Sequence, residues 1–170
     1  MQTDVIVSQA VQGGLMATYY SSIPTSHNAG DWSTGLTQEP WDTPYRTKLT
    51  PVISQTAAST AEILAQMSVD DVHTFGIRYS GFLSPPLAQR YTFQAKISDT
   101  ATDTAERVRL WIDNVLVIDQ WASLSATQCG AGCFQGTLDF STVASHHDLV
   151  LEYKETETVA NTKANVKLYY

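Results

Sequence analysis

Charged side chains are scarce in this sequence, and most of those present are acidic. Only 16% of the 170 residues are charged, with 17 Asp and Glu against 10 Lys and Arg, so the net charge is −7. A typical soluble domain has about a quarter of its residues charged. A chain with so few basic groups has little with which to neutralise phosphates, so we expect no nucleic-acid partner. The acidic balance permits cation binding without requiring it.

Long apolar runs and the signatures of common enzymes are also lacking. The longest apolar stretch is residues 115–118, far short of the roughly 20 residues of a membrane-spanning helix, and we expect no membrane insertion. Residues 1–11 have neither the basic start nor the apolar run of a signal peptide. The GxSxG, HExxH and P-loop motifs are absent, and the four histidines are scattered at positions 27, 73, 146 and 147. We therefore expect no enzymatic activity.

Cysteine occurs only twice, as Cys129 and Cys133 in the segment CGAGCF. The two intervening glycines permit a turn that brings the Cα atoms within the roughly 4.4–6.8 Å that a disulfide needs. We favour this disulfide, which would add about 2 kcal/mol to stability and would indicate an oxidising compartment. The alternatives are two unpaired thiols in a loop, or a zinc site that would need two further ligands.

Period-two alternation of apolar and polar residues is the dominant pattern that is present. It predicts eight strands with turns between them and no long helix, which is typical of an all-β antiparallel sandwich or barrel. The length suits a single domain with its own core. The predicted strands are residues 15–20, 74–79, 91–97, 108–112, 115–121, 135–140, 147–153 and 164–170.

Residues 21–56 interrupt this alternation. They are rich in Ser, Thr, Gly and Pro and show neither period, so we expect one long irregular loop, which in a compact domain is often functional. The loop carries Trp32, Trp41 and Tyr45. These aromatic side chains either stack on sugar rings or plug one end of the sandwich, and the sequence favours neither.

A short helix is expected just after this loop. Ser59 and Glu62 fit a capping box, in which each side chain bonds the other residue's backbone donor. The body of the helix would be residues 61–67.

Two aspartates have structural roles that the sequence predicts. Asp113 and Asn114 tolerate positive φ and should form the tight turn between two strands. Asp119 should accept a backbone hydrogen bond close to Trp121.

Six segments in a fixed order carry a resemblance to a known module. They are GLMATYY at 14–20, FGIRYSGFLSPP at 75–86, YTF at 91–93 with SD at 98–99, RLWIDN at 109–114, LVID at 116–119 with Trp121, and LVLEY at 149–153. This order and spacing are similar to those of the PA14 domain, a β-module shared by a bacterial toxin component, many glycosidases and fungal adhesins. The resemblance covers roughly residues 14–170. It implies that residues 1–13 are an N-terminal extension and that residues 14–170 are one PA14-like domain excised from a larger protein.

The resemblance also implies a calcium site. In sugar-binding PA14 domains, two adjacent aspartates hold a calcium ion, and the ion holds sugar hydroxyls. Asp99 matches the first aspartate, whereas Thr100 stands at the second, and the loop is longer, ending at Glu106. Asp103 is the expected substitute ligand.

A companion loop in that family follows the strand matched by residues 149–153. In this chain it contains Glu155, Glu157 and Asn161, all of which offer the oxygen ligands that calcium prefers. The alternative is a pair of solvated polar loops that hold no metal.

The resemblance implies a non-catalytic extracellular or cell-surface module for carbohydrate recognition and adhesion, with calcium as its candidate cofactor. Its partners would be a glycan or a cell-surface glycoprotein, together with other domains of the parent protein. The alternatives are a structural or protein-assembly domain without a sugar site, and an accessory domain of a secreted glycosidase.

Overall fold

The fold is all-β. A computed structural model describes residues 15–21, 44–50, 53–57, 75–97, 106–125, 128–143, 145–155 and 164–170. Within these residues there are ten strands and no helix, and hence no helix that could cross a membrane. The strands are β1 (Leu15–Ser21), β2 (Pro44–Thr50), β3 (Ser54–Ala57), β4 (Phe75–Leu83), β5 (Arg90–Lys96), β6 (Glu106–Ile112), β7 (Val115–Gln120), β8 (Cys133–Asp139), β9 (His147–Glu155) and β10 (Ala164–Tyr169).

The strands form two antiparallel sheets. The larger sheet has six strands in the order β2-β1-β4-β9-β6-β7, and the smaller has four in the order β3-β10-β5-β8. Every strand pairing is antiparallel. This arrangement confirms the predicted antiparallel β-sandwich, and each of the eight strands predicted from alternation is present.

The core lies between the two sheets, and it explains the alternation. On β6, Val108, Leu110 and Ile112 are fully buried, whereas the intervening Arg109 and Trp111 are only partly buried. The smaller sheet contributes Phe93, which is fully buried and packs against the rings of two other aromatic residues at 5.8 and 6.3 Å. Burial of one face of each sheet is the main source of stability in such a fold.

The β6–β7 turn has the predicted conformation. Asp113 and Asn114 have φ values of 48° and 63°, as a two-residue hairpin turn requires. The Asp113 carboxylate also bonds the His147 ring at 2.6 Å and accepts the Asp148 backbone N–H at 2.8 Å. The turn is thereby tied to the start of β9.

Asp119 also has its predicted role. Its carboxylate accepts the backbone N–H of Trp121 at 3.2 Å, which helps to end β7.

The prediction of one irregular loop over residues 21–56 is wrong for its second half, which contains β2 and β3. Among the described strands, β2 lies at the edge of the larger sheet and pairs only with β1. Thr47, Lys48 and Leu49 are all exposed, so β2 lacks the alternation that marks a half-buried strand. Pro44 has no backbone N–H to donate, and it is tolerated here because it is the first residue of an edge strand. The helix predicted for residues 61–67 lies outside the described residues.

The disulfide between Cys129 and Cys133 is present and confirms that prediction. The two Cα atoms are 5.1 Å apart. Gly130 and Gly132 both adopt positive φ, and the Cys133 N–H bonds the Gly130 carbonyl at 3.1 Å. The two glycines therefore supply the backbone conformation that so short a bridge requires.

A charged row crosses the outer face of the larger sheet. Glu152 on β9 stands between Arg78 on β4 and Arg109 on β6 as their direct cross-strand partner. Its carboxylate is 2.6 Å from the Arg109 guanidinium and 3.7 Å from that of Arg78. The Glu152 side chain is only 4% exposed, so this carboxylate ties three central strands together with little competition from water.

Candidate functional site

Two loops of the chain start and finish at the same end of the sandwich. Residues 98–105 connect β5 to β6, and residues 156–163 connect β9 to β10, so each joins one sheet to the other. Glu106, where the first loop ends, is the cross-strand partner of Glu155, where the second begins. In the smaller sheet, Lys96 near the start of the first loop pairs with Lys167 near the end of the second. The strand register thus brings the anchors of both loops together, and we call this region the loop end.

A buried carboxylate joins the two sheets at the loop end. Glu106 is 2% exposed. It accepts a hydrogen bond from the Tyr153 hydroxyl at 2.6 Å and another from the backbone N–H of Asn165 at 3.2 Å. These bonds fix the first residue of β6 relative to β9 and to the start of β10.

Tyr153 remains a hydrogen-bond donor to this carboxylate. Its side chain is fully buried, and burial raises its pKa well above the usual range; the nearby charges of Glu106 and Glu155 raise it further. The protonated phenol is therefore the stable form, and it donates the hydrogen bond that the Glu106 carboxylate needs.

Of the five predicted calcium ligands, one is described. Glu155 is the last residue of β9, is 1% exposed, and follows Leu151 and Tyr153 on the inward-facing register. Asp99, Asp103, Glu157 and Asn161 lie outside the described residues. In the described part of the chain, no group of three His, Cys, Asp or Glu side chains is placed to hold a metal ion.

The predicted aromatic ligand-binding residues are only partly described. Trp32 and Trp41 lie outside the described residues, whereas the backbone of Tyr45 belongs to β2. It lies at the register shift opposite Tyr19 and Tyr20. Since Tyr20 pairs with Gly76, whose other partner Lys154 adjoins Glu155, the Tyr45 backbone belongs to the same end of the sheet as the loop anchors.

Glu106 was not among the residues that the sequence marked as a site. The available signal is its position two residues before Val108 and four before Leu110, both of which face the core. A glutamate at an inward position of a buried strand needs partners, because an ionised carboxylate without hydrogen bonds is costly to bury.

Comparisons with known proteins identify the fold. No family model matches the chain. Part of the chain is similar to the anti-sigma-I factor RsgI3 of Acetivibrio thermocellus, with 32% identity over 90 residues, which is 53% of this chain and 12% of that protein. The chain thus spans only a small part of this relative.

Solved structures match over nearly the whole chain. An anti-sigma factor domain-containing protein aligns with a TM-score of 0.58 and 22% identity, covering 92% of this chain and 42% of the other. The PA14 sugar-binding domain of an RTX adhesin aligns with a TM-score of 0.59 and 12% identity, covering 93% and 89%. The GH31 α-xylosidase of Xanthomonas citri aligns with a TM-score of 0.56 and 12% identity, covering 92% and 13%. The chain has the fold of the PA14 domains, as its sequence motifs predicted.

Proposed function

We propose that this chain is a non-catalytic, extracellular carbohydrate-binding module whose sugar site lies at the loop end and uses calcium. The observation that carries the proposal is the convergence of the two loop anchors, Glu106 and Glu155, as direct cross-strand partners. The sequence places oxygen ligands in or beside both loops. A match to a sugar-binding PA14 domain over 93% of the chain supports the same function.

The chemistry of the two loops suits calcium. Calcium takes about six to eight oxygen ligands and exchanges water readily for other oxygen donors. Asp99 would be a direct ligand, and Asp103 would take the place of the second aspartate. A carboxylate or carbonyl from Glu155 at the end of β9, or from Glu157 or Asn161 in the second loop, would complete the shell. Open positions on the ion would then bind neighbouring hydroxyls of a sugar.

The described geometry gives these loops a rigid base. Glu106 links β6 to Tyr153 and to Asn165, so the strands from which both loops arise are held in one position. A ligand set on anchored loops loses less conformational entropy on binding. Trp32, Trp41 and Tyr45 are the aromatic residues that we propose for stacking on the sugar ring.

The disulfide supports the proposed extracellular location. A bridge between Cys129 and Cys133 persists most readily in an oxidising compartment. The partners that we propose are a glycan or a cell-surface glycoprotein, with other domains of a longer protein beside it.

A second candidate is the sensing part of a signalling protein. The similarity to part of an anti-sigma factor, at 32% identity over 90 residues, favours this role. The match to a glycosidase favours an accessory role beside a catalytic domain, and a purely structural or assembly role would need no ligand.

Calcium should raise the melting temperature of the folded chain in a concentration-dependent way, because it binds the native state only. At about 100 times its Kd, the ion adds about 2.7 kcal/mol to the free energy of unfolding, which corresponds to roughly 5–10 °C. Asp99→Ala should abolish this rise. Differential scanning calorimetry with stepwise calcium addition after EDTA treatment measures it.

Asp113→Ala is the matched control. It removes a carboxylate that bonds His147 and the Asp148 N–H, so it should lower the melting temperature while leaving the response to calcium intact. If millimolar calcium leaves the melting temperature of the wild-type chain unchanged, the calcium site does not exist and an assembly role is favoured.

A further inference from the structure

An uncharged row of side chains crosses the outer face of the larger sheet. Each member is the direct cross-strand partner of the next, so the row includes one residue from each of the six strands of this sheet. At about 4.8 Å per strand, it is about 24 Å long. In order across the sheet its members are Leu49, Met16, Ser80, Val150, Trp111 and Leu116.

The row is exposed at both ends, whereas Ser80, Val150 and Trp111 in its middle are partly buried. Leu49 is 68% exposed, Met16 45% and Leu116 46%, and Phe82, two residues beyond Ser80 on the same face, is 48% exposed. Single exposed apolar residues are common, but a contiguous set marks an interaction surface. We call these six residues and Phe82 the apolar row.

The only tryptophan of the apolar row is held in place by a charged neighbour. The Arg109 guanidinium lies over the Trp111 ring, 4.7 Å from its centroid, and it is fixed in turn by Glu152 at 2.6 Å. A ring that is positioned before a ligand arrives costs less entropy on binding.

The shape of the apolar row favours a narrow ligand. It is about 24 Å long but only one to two side chains wide, about 7 Å along each strand. A stable protein interface buries about 800 Å² on each partner, several times the area of such a strip. A single extended polymer chain fits these dimensions better than a second protein.

The chemistry of the apolar row favours a neutral ligand. None of its seven residues carries a charge, and Arg78, Glu152 and Arg109 on this face are engaged with one another. The carboxylate of Asp148, the cross-strand partner of Phe82, is an exposed charge beside the row. An anionic polymer would therefore gain no ion pair here and would be repelled by Asp148. The apolar faces of pyranose rings pack well on indole and aliphatic side chains, and the Ser80 hydroxyl offers a hydrogen bond midway along the row.

We propose that the apolar row is a second binding surface, independent of calcium, for one extended chain of a neutral polysaccharide lying across the six strands. This inference rests on the proposed carbohydrate-binding function but uses a different face from the loop end. The chain would then bind the same class of ligand through two distinct surfaces.

Depletion binding in EDTA tests this proposal. The probes are microcrystalline cellulose, insoluble xylan and insoluble mannan, which are neutral polysaccharides, with the protein measured in the supernatant. We expect retention on at least one of them. The Met16→Ser/Leu116→Ser double variant should weaken that retention by roughly tenfold. Val143→Ser, which alters a 58% exposed residue of the β8–β9 loop, should leave it unchanged.

Several results would overturn the proposal. These are no retention on any of the three probes in EDTA, an equal loss in the Val143→Ser variant, and a dimer in light scattering that the double variant abolishes. The last would assign the row to contact between two copies. Asp99→Ala should retain full binding in EDTA, so loss of calcium-dependent binding alone would count against the loop end and not against the apolar row. Circular dichroism of each variant checks that it is folded.

Discussion

Gly136→Ala should destabilise the domain by about 3 kcal/mol or prevent it from folding, at the upper end of what overpacking costs. A Cβ atom at this position would lie 2.0 Å from the Val117 carbonyl oxygen and 2.8 Å from the carbonyl carbon. Both are backbone atoms, so they cannot rotate away as the end of a side chain would. The contact joins β8 of the smaller sheet to β7 of the larger one.

Val117 has little freedom to move aside. It is the extra residue at the register shift between β6 and β7, where Leu110 pairs with Ile118 but Trp111 pairs with Leu116. Moving its carbonyl would disturb the pairings on either side of this bulge. The added methyl group can therefore be accommodated only if the two sheets move apart.

Denaturant unfolding of the Gly136→Ala variant measures this effect. The control is Thr137→Ala, the next residue of β8, which is exposed and should change the free energy of unfolding by less than about 0.5 kcal/mol. Equal midpoints for Gly136→Ala and the wild-type chain would show that the two strands are not in such close contact.

Glu152→Ala should lower the free energy of unfolding by about 3 kcal/mol, because it leaves buried cations without their carboxylate. Glu152 bridges Arg109 at 2.6 Å and Arg78 at 3.7 Å, and the two arginine side chains are only 13% and 16% exposed. Removing one partner from a buried ion pair costs far more than the intact pair contributes, because the remaining charge is left uncompensated. Arg109 would also hold the Trp111 ring less firmly.

An exposed ion pair in the same protein provides the control. Arg90 and Asp139 are 2.8 Å apart in the smaller sheet, with side chains 69% and 66% exposed. Arg90 lowers the pKa of Asp139 through this hydrogen bond, but water screens the pair, so Asp139→Ala should leave stability almost unchanged. Chemical denaturation measures both variants. If Glu152→Ala lowers the free energy of unfolding no more than Asp139→Ala does, the charged row of Arg78, Glu152 and Arg109 does not stabilise the domain.

The fold was predictable wherever one face of a strand is buried. Period-two alternation located eight strands, and the Asp113-Asn114 pair located a turn, because local sequence determines both features. The disulfide followed from the two glycines between Cys129 and Cys133. Alternation failed for β2, where Thr47, Lys48 and Leu49 are all exposed. An edge strand without a buried face leaves no such pattern.

The candidate sites depend on strand order, which the sequence does not display. Glu106 and Glu155 are 49 positions apart in the chain, yet they become partners because β6 and β9 are adjacent. The apolar row likewise exists only because the order β2-β1-β4-β9-β6-β7 aligns one outward residue from each strand. Family resemblance supplied the expectation that the two loops lie close together, whereas the apolar row had no counterpart in it.

Binding of the chain to an array of immobilised oligosaccharides, with calcium and then with EDTA, tests the central claim most directly. The account predicts that the wild-type chain binds a set of glycans only when calcium is present, that EDTA abolishes binding to this set while any glycan held by the apolar row stays bound, and that Asp99→Ala abolishes binding to the calcium-dependent set equally. Asp113→Ala should keep the same set of glycans, because its carboxylate holds a turn rather than the loop end. Two results would contradict a calcium-dependent sugar site at the loop end. One is that the chain binds no glycan in calcium, and the other is that it binds the same glycans in calcium and in EDTA.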